Sequence, residues 1–535
     1  MTSTLDKPTA AGSPEPATHD RSWLPAAVAG LLAAAVALAT GEILSGFTRD
    51  IPSLVVAVAN FVVDNGFQSL DDWAKETFGT GQKTVLTTGV VLTTLLLGTV
   101  TGVVARHRPM VGVAVFAGFA LVGALAGTRD PQATNTGSWF SAIVVGLAGI
   151  ATLIFLLRLA DRRDPAGTGL SPVATAVSER RWFLAAAGGA TFVAIFGSRL
   201  GKFLRSRRDV EGARTALAAT LGTQDPSVAL TSLETFDEIT GIAPFITPND
   251  DFYRIDTALS TPLLTPDDWT LKVHGMVDNP YEIDFDELLS MPNIEAPVTL
   301  SCVSNEVGGN LVGNAIWTGV SLIDILERAG VQEGANQLVS RSVDGWSCGF
   351  PTEVAIDGRT AMIAFTMNGE PLPVSHGFPA RLVVPGLYGY VSATKWLREI
   401  ELTTWEDFDG YWIPRGWAKD GPIKTQSRID VPRQGARLPA GQTAVAGVAW
   451  APTLSVAGVE VRIDEGLWEP AQLSEELSSS SWRQWMYIWD APPGRHLIEV
   501  RATDGTGFTQ TAERVPPRPD GAEGWDQAIV DVDEA

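Results

Sequence analysis

Long apolar stretches dominate the first two hundred residues, and short alternating runs dominate the rest. Five stretches have the apolar character of helices that cross a membrane. They cover about 24–47, 84–105, 110–126, 139–160 and 182–198. A sixth stretch, 51–63, is too short to cross, so we expect it to lie at the interface or to be re-entrant. The pattern predicts an all-α transmembrane region over 23–200.

Beyond about residue 230, Gly, Pro and Asp interrupt short runs of alternating apolar residues. Trp269–Val277 alternates as a strand does, and 321–329 has the pattern of a helix with Ser321 as its N-cap. The apolar run that begins at Arg381 indicates a buried strand. After about residue 430 only strands follow, at 444–451, 458–464, 482–489 and 496–503. That spacing is typical of an immunoglobulin-like β-sandwich.

These patterns divide the chain into five segments, of which two are not folded domains. The first segment is rich in Pro, Thr and Ala, and we expect a disordered cytoplasmic tail there. The segments are the tail (1–22), the transmembrane region (23–200), a linker (201–234), a mixed α+β domain (235–425) and the β-sandwich (430–535).

Charge and composition exclude several classes of function. The net charge is −22, but residues 1–229 carry +3 and the remainder carries −25, which would repel nucleic acid. Two cysteines exclude a disulfide scaffold, an iron–sulfur cluster and a four-cysteine zinc site. None of the five histidines lies in a predicted span, and Cys-x-x-Cys-His is missing, so we expect no haem.

The basic loops predict the orientation of the helices. Arg106–Pro109 and the stretch 158–163 are rich in Arg, which places them in the cytoplasm together with the N-terminus. The chain from residue 205 onward then lies outside, in the periplasm or the extracellular space. The segment 180–184, Arg-Arg-Trp-Phe-Leu, precedes a short Gly- and Ala-rich helix and resembles a twin-arginine export signal. The alternative is a pair of ordinary anchoring arginines.

Two residues stand out chemically in the second half. Cys302 ends a predicted strand and enters a loop that contains Gly308, Gly309 and Gly313. A cysteine of this kind is either a buried apolar residue or a metal ligand. Arg381 lies in an apolar strand, where a buried charge requires an anionic partner.

The motifs around these two residues resemble the molybdenum-cofactor domain of the sulfite oxidase family. They are Thr-Leu-Ser-Cys (299–302), Asn-Ala-Ile-Trp-Thr-Gly (314–319), Phe-Thr-Met-Asn-Gly-Glu-Pro-Leu-Pro (365–373), His-Gly-Phe-Pro-Ala-Arg (376–381) and Lys-Trp-Leu (395–397). The resemblance covers roughly 235–535. It implies a catalytic molybdopterin domain followed by the family's immunoglobulin-like dimerisation domain, and hence a homodimer.

The resemblance also implies the residues of the site. Cys302 is the position of the thiolate that binds molybdenum beside one molybdopterin, and soft sulfur suits such a metal. The residues implied to hold the cofactor are Tyr253, Arg254, His376, Arg381, Thr394 and Lys395. The alternative for Arg381 and Lys395 is a pair of surface salt bridges. Cys348 matches no ligand position, and we interpret it as a packed or free thiol.

The substrate side departs from the sulfite oxidases, in which arginines bind the sulfite dianion. The loop 303–308 contains Glu306 and no Arg, and 388–394 also has no Arg. A carboxylate near the metal would repel sulfite. Together with Tyr388 and Tyr390, Glu306 is our candidate for contact with substrate. This loop resembles the family's bacterial periplasmic branch, which includes a reductase of methionine sulfoxide in proteins.

The sequence therefore favours a membrane-anchored molybdenum oxidoreductase that transfers one oxygen atom in a two-electron reaction outside the cytoplasm. Its substrate would be a small or protein-borne sulfoxide-type or sulfite-type compound. One alternative is true sulfite oxidation with a cytochrome as electron acceptor. A non-enzyme alternative is a metal-free receptor or assembly protein with the same fold. The substrate, the direction of the reaction and the electron-transfer partner stay open at this point.

Overall fold

The computed structural model describes residues 23–66, 77, 82–160, 172–206, 210–222 and 233–534. The chain divides into two compact units. The first is residues 1–129 with 133–205, and the second is residues 130–132 with 206–535. The tail predicted to be disordered, 1–22, lies outside the described residues.

Six helices make up the described part of the first unit. They are α1 (Leu24–Phe47), α2 (Leu54–Asn65), α3 (Gln82–Ala105), α4 (Pro109–Gly127), α5 (Asn135–Ala160) and α6 (Pro172–Ser206). All but α2 contain a stretch long enough to cross a membrane, with a mean hydropathy between 1.5 and 2.5. The five predicted spans are thus confirmed as helices, although the last is the central part of the longer α6.

The short helix α2 differs from the other five in length. Its 12 residues rise only about 18 Å, whereas the hydrocarbon core of a bilayer is about 30 Å thick. It occupies most of the stretch 51–63 that the sequence analysis excluded as a span. The length of the helix supports that prediction.

Small residues allow α1 and α3 to touch at their backbones. A Cβ added at Gly30 would lie 2.1 Å from the carbonyl oxygen of Gly98 and 2.7 Å from the Cα of Gly102. Helices in lipid commonly associate through such small residues, because apolar side chains gain little by leaving lipid for protein. The span in α6 packs less closely on the other helices. Only 6% of it is buried, compared with 50% of the span in α1.

Ten strands build the first half of the second unit. They are β1 (Thr270–Gly275), β2 (Tyr281–Asp284), β3 (Asn293–Ser301), β4 (Val312–Ser321), β5 (Gln337–Ser342), β6 (Ser347–Pro351), β7 (Met362–Met367), β8 (Glu370–Pro371), β9 (Arg381–Val383) and β10 (Leu397–Thr403). One sheet has the order β2-β1-β10-β5-β6, with β1 and β10 parallel. The other has the order β3-β4-β7-β8, and β9 pairs with β7.

Five helices accompany these strands in the second unit. They are α7 (Val210–Leu221), α8 (Phe285–Ser290), α9 (Leu322–Ala329), α10 (Thr352–Ile356) and α11 (Gly389–Ser392). The apolar face of α9 is buried at the helical spacing, through Leu322, Ile325, Leu326 and Ala329. Gly330 ends it in the left-handed conformation with φ +67°. Ser321 occupies the predicted N-cap position, but its side chain makes no capping hydrogen bond.

Helix α7 lies in the segment that the sequence analysis predicted as a linker. Val210 and Leu217 of this helix are buried in the same core as the first two sheets. The guanidinium of Arg214 donates to a carboxylate oxygen of Glu370 at 3.0 Å and to the carbonyl oxygen of Pro371 at 3.0 Å. Part of the predicted linker is therefore a helix packed on the strands that carry the site.

The last nine strands form two sheets around a separate core. They are β11 (Gln426–Val431), β12 (Arg437–Pro439), β13 (Gly441–Trp450), β14 (Val456–Ile463), β15 (Glu469–Pro470), β16 (Gln472–Leu473), β17 (Arg483–Ala491), β18 (Gly494–Asp504) and β19 (Asp526–Asp533). The sheet orders are β11-β13-β17-β16 and β12-β19-β18-β14-β15. Trp485 from one sheet and Val500 from the other are both fully buried between them. The four strands predicted after residue 430 are confirmed.

Candidate functional site

Cys302 follows β3 directly and begins a loop that folds back on itself. Its backbone N–H donates to the carbonyl oxygen of Leu311 at 2.9 Å, and its own carbonyl accepts from the N–H of Asn305 at 3.0 Å. The Asn305 side chain accepts from the N–H of Leu311 at 2.8 Å. These bonds close the loop and fix the thiol beside the end of the strand.

The Cys302 thiol is free and only 9% exposed. Burial raises its pKa, while hydrogen bonds from Ser304 and the charge of Lys395 act in the opposite direction. The Sγ atom lies 2.9 Å from the Ser304 hydroxyl oxygen. A buried thiol of this kind is protonated on its own and becomes a thiolate when a metal takes the place of its proton.

Arg381 is the first of three cations whose charges act on His376. It is 4% exposed, its guanidinium lies 5.0 Å over the ring of Trp317, and its Nη1 donates to the carbonyl oxygen of His376 at 3.1 Å. Burial lowers its pKa to about 10. Among the described residues Arg381 forms no ion pair, so its charge is left for a bound anion.

Lys395 and Arg254 share one carboxylate. The Lys395 ammonium donates to Asp256 Oδ2 at 3.1 Å and to the carbonyl oxygen of Ser375 at 3.1 Å. The Arg254 Nε donates to the same Asp256 oxygen at 2.9 Å. Burial lowers the pKa of Lys395 to about 8, against the opposing effect of Asp256. Besides Asp256, the Asp344 carboxyl interacts with Lys395, so two carboxyls accompany the three cations Arg254, Arg381 and Lys395. Positive charge therefore remains at the site.

His376 lies among these cations and is 4% exposed. Burial and the charges of Lys395, Arg381 and Arg254 lower its pKa to about 3, so the imidazole is neutral at pH 7. Its Nδ1 has no hydrogen-bond partner among the described residues. Buried polar atoms are nearly always paired in folded proteins, and this one is therefore available to a bound ligand.

The Tyr253 phenol interacts electrostatically with both the Cys302 thiol and Arg381. Burial raises its pKa, the Cys302 sulfur raises it further and the Arg381 charge lowers it. Its phenol is therefore a neutral hydrogen-bonding group within electrostatic reach of both. The ring stacks on Phe252 with 5.3 Å between centroids. The structure thus brings together five of the predicted site residues, Cys302, Tyr253, His376, Arg381 and Lys395, with Arg254 at the edge.

The two tyrosines predicted to face substrate differ in their surroundings. Tyr388 is 3% exposed, and burial and the nearby Cys302 sulfur both raise its pKa. Its hydroxyl accepts from the N–H of Lys424 at 3.4 Å. Tyr390 is half-buried and donates its hydroxyl to the carbonyl oxygen of Ala418 at 2.7 Å. Of the two, Tyr388 is the one with an electrostatic link to Cys302.

Two other predicted residues have surroundings of a different kind. The Thr394 hydroxyl lies 2.7 Å from the Ser340 hydroxyl and 3.2 Å from the Cys348 sulfur, which is away from the cations. Cys348 is buried and free, as predicted. The Glu306 side chain is exposed on the loop after Cys302, and its carbonyl accepts from the N–H of Gly309 at 2.8 Å.

Two residues of the site were missed by the sequence analysis. Asp256 follows Arg254 by two positions, and Ser304 follows Cys302 by two positions. A carboxylate inside a segment that resembles a cofactor-binding stretch was the available signal for Asp256. The contact of Ser304 with Cys302 depends on how the loop turns, and residue type alone does not predict that turn.

Known proteins share the strands that carry these residues. Residues 258–412 match the family model described as the oxidoreductase molybdopterin binding domain. The "Uncharacterized oxidoreductase YuiH" of Bacillus subtilis is 37% identical over 153 residues, which are 29% of this chain and 74% of that protein. The chain belongs to the sulfite oxidase family of molybdopterin-dependent oxidoreductases.

Two further comparisons cover about half of the chain. Human mitochondrial sulfite oxidase is 29% identical over 322 residues, covering 51% of this chain and 58% of that protein. The sulfane dehydrogenase SoxCD of Paracoccus pantotrophus superposes with a TM-score of 0.48 at 24% identity, over 54% of this chain and 84% of that one. The chain thus spans little more than half the length of the human sulfite oxidase.

Family membership makes this chain an oxidoreductase with a molybdopterin-binding domain, and its residues fit that cofactor. A free thiol suits molybdenum, which sulfur ligands already surround in this cofactor. A phosphate suits Arg381, which forms no ion pair among the described residues, and Lys395, which shares Asp256 with Arg254. The Nδ1 of His376, which has no partner among the described residues, suits a polar heterocycle.

Replacing Arg381 by methionine is expected to reduce retention of the cofactor. A charge-assisted hydrogen bond is worth about 1.5–3 kcal/mol, which corresponds to roughly 10- to 100-fold in affinity. Methionine keeps the stem that packs in the strand. Molybdenum and pterin per chain in the purified protein measure the effect, and Arg398→Met, on the exposed face of β10, is the control. Full cofactor content in Arg381→Met would contradict the assignment.

Anion binding at this site is expected to weaken as the pH rises through about 8. Lys395 attracts an anion only while protonated, and its pKa is about 8. Sulfate keeps its charge in this range, so its affinity for the cofactor-free protein should fall by up to about five- to sixfold from pH 8 to pH 9, as the protonated fraction of Lys395 falls. Calorimetric titration measures this. Lys395→Gln should bind sulfate weakly at every pH, and an unchanged wild-type affinity would refute the role of Lys395.

Proposed function

We propose that this protein is a membrane-anchored molybdenum enzyme that transfers one oxygen atom in a two-electron reaction outside the cytoplasm. The observation that carries the proposal is a free, buried Cys302 thiol beside cations that lack a full complement of carboxylates. A metal-free receptor has no need of that combination. Family membership and five apolar helices support the same reading.

Each residue of the site has a distinct task in this proposal. Cys302 is the metal ligand, and Arg381, Lys395 and Arg254 hold the phosphate of the pterin. Tyr253 and the unpaired Nδ1 of His376 bind the pterin ring system. Because Thr394 bonds to Ser340, its contribution is to orient the neighbouring Lys395. When bound, the cofactor supplies the oxygen-atom transfer and the two-electron change at molybdenum.

The substrate pocket favours a neutral sulfoxide over the sulfite dianion. Neither 303–308 nor 388–394 contains an arginine, and Glu306 adds negative charge to the first of these loops. Tyr388 is neutral and near the thiol, so its hydroxyl is suited to donate to a sulfoxide oxygen. The substrate is therefore a small or protein-borne sulfoxide. True sulfite oxidation with a cytochrome as acceptor is the competing reaction.

The two sheets after residue 425 support an immunoglobulin-like domain over 430–535. Strands from both sheets bury one core, which is the arrangement of a β-sandwich. In this proposal 235–425 is the catalytic domain and the sandwich mediates formation of a homodimer. Helices α1 and α3 to α6 anchor the chain, with the N-terminus in the cytoplasm and the catalytic domain in the periplasm or outside the cell.

Metal analysis followed by a substrate screen tests the proposal. We expect about one molybdenum per chain in the full-length purified protein. With a dye of low potential as electron donor, methyl sulfoxides should be reduced. Sulfite, assayed with an oxidising dye, should not saturate the enzyme at micromolar concentration. Saturation there would favour the sulfite oxidase alternative, and a protein that folds without molybdenum would support the receptor alternative.

A further inference from the structure

The Ser304 hydroxyl has no role in the function proposed above. Its oxygen lies 2.9 Å from the Cys302 sulfur, a close contact between these two elements. In this contact either the thiol or the hydroxyl can donate. Once a metal has replaced the thiol proton, only the Ser304 hydroxyl can donate to the sulfur.

The loop around Ser304 is held on both sides. Within the loop, the N–H of Asn305 donates to the Cys302 carbonyl at 3.0 Å. From β11, the Arg428 guanidinium donates to the carbonyl oxygen of Gly309 at 3.0 Å and pairs with Asp430 at 2.7 Å. Because the backbone on either side of Ser304 is held by these bonds, the contact between its hydroxyl and the Cys302 sulfur does not depend on a flexible turn.

We infer that Ser304 is a positioning residue that donates to the Cys302 sulfur and raises the reduction potential of the bound molybdenum. The inference rests on the proposed function, in which Cys302 is the metal ligand. In this role Ser304 does not bind the metal itself and acts on it through the sulfur of Cys302. Ser304 touches neither the pterin nor the substrate in this assignment.

The direction of the effect follows from the charge on sulfur. A hydrogen bond to a ligating thiolate withdraws electron density from it, and so the sulfur donates less to the metal. The reduced, more electron-rich state of the metal is then stabilised relative to the oxidised state. Hydrogen bonds to metal-bound sulfur tune potentials in this way in iron–sulfur and related sites. Removing the hydroxyl should therefore lower the potential.

Ser304→Ala in the full-length, cofactor-loaded protein tests the inference. Potentiometric titration followed by electron paramagnetic resonance gives the midpoint potentials of molybdenum, independently of any substrate. We expect a shift to more negative potential with unchanged molybdenum content. Ser304→Thr keeps the hydroxyl and should restore the wild-type value.

Ser301→Ala is the matched control. Ser301 is also next to Cys302 and buried, but its hydroxyl lies 3.5 Å from the Cys302 carbonyl oxygen and does not reach the sulfur. It should leave the potential unchanged. Equal potentials in wild-type and Ser304→Ala proteins, or equal shifts in Ser301→Ala and Ser304→Ala, would overturn the role of Ser304. A wild-type protein without molybdenum would overturn the proposed function itself, and the inference with it.

Discussion

Replacing Cys302 by serine is expected to lower turnover by at least about a thousandfold, equivalent to about 4 kcal/mol in the activation barrier. A hydroxyl is a harder ligand than a thiolate and keeps its proton at neutral pH, so it does not replace the thiolate at the metal. The exchange of sulfur for oxygen is small in volume. Because the hydrogen bonds of Arg381 and Lys395 do not involve Cys302, both cations should keep their positions and pterin binding should largely persist.

Activity, molybdenum content and pterin content of the same preparation separate the possible outcomes for Cys302→Ser. Thermal unfolding should change little, since no described ion pair and no disulfide depends on this residue. Cys348→Ser is the control, because Cys348 is the other buried free thiol and its sulfur lies 3.3 Å from the Ser340 hydroxyl and 3.2 Å from the Thr394 hydroxyl. Near-normal turnover in Cys302→Ser would show that the metal has another ligand.

The helices and most strands were predictable because burial imposes a period on the sequence. The spans need only about twenty apolar residues in a row, and strands such as β13 and β18 lie between Gly- and Asp-rich turns. Helix α7 was missed because its sequence has no such clear period. Its sequence is short and rich in Ala, and only Val210 and Leu217 reach the core, which is too few for a clear period.

For the site, a residue was predictable where its chemistry conflicts with its surroundings. Arg381 stands out as a charge in an apolar strand, and Cys302 stands out as a cysteine that leads into a Gly-rich loop. The buried Asp256 carboxylate pairs with Lys395, which is distant in sequence. No local sequence pattern predicts such a pairing. The direction of the Thr394 hydroxyl depends likewise on β5 and β6, which lie opposite to it.

The proposed location outside the cytoplasm requires that the catalytic half be exported together with a cofactor that is buried in a folded site. A chain that binds its pterin in the cytoplasm must cross the membrane already folded, which a threading translocon does not allow. The span in α6 is suited to a separate route, because only 6% of it is buried among the helices of its unit. The Trp182 and Leu184 side chains that follow the arginine pair are 67% and 62% exposed, so neither is buried against the other described helices.

Changing Arg180 and Arg181 together to lysine is therefore expected to retain residues 205–535 in the cytoplasm while the first four spans insert normally. Lysine keeps the positive charge that orients the helix, so only a receptor that reads arginine should respond. Protease added to intact cells or spheroplasts measures export as cleavage of the catalytic half. In wild-type cells this half should be cleaved, and in the double mutant it should be protected.

The matched control for this export experiment is the double change of Arg162 and Arg163 to lysine. That pair lies in the same predicted cytoplasmic loop but precedes no Phe-Leu sequence. It should leave export unchanged. If both double mutants export the catalytic half as the wild type does, the pair at 180–181 is an ordinary topogenic cluster and the folded-export route is wrong. If both block export, positive charge in the loop, rather than the twin-arginine sequence, decides where the catalytic half resides.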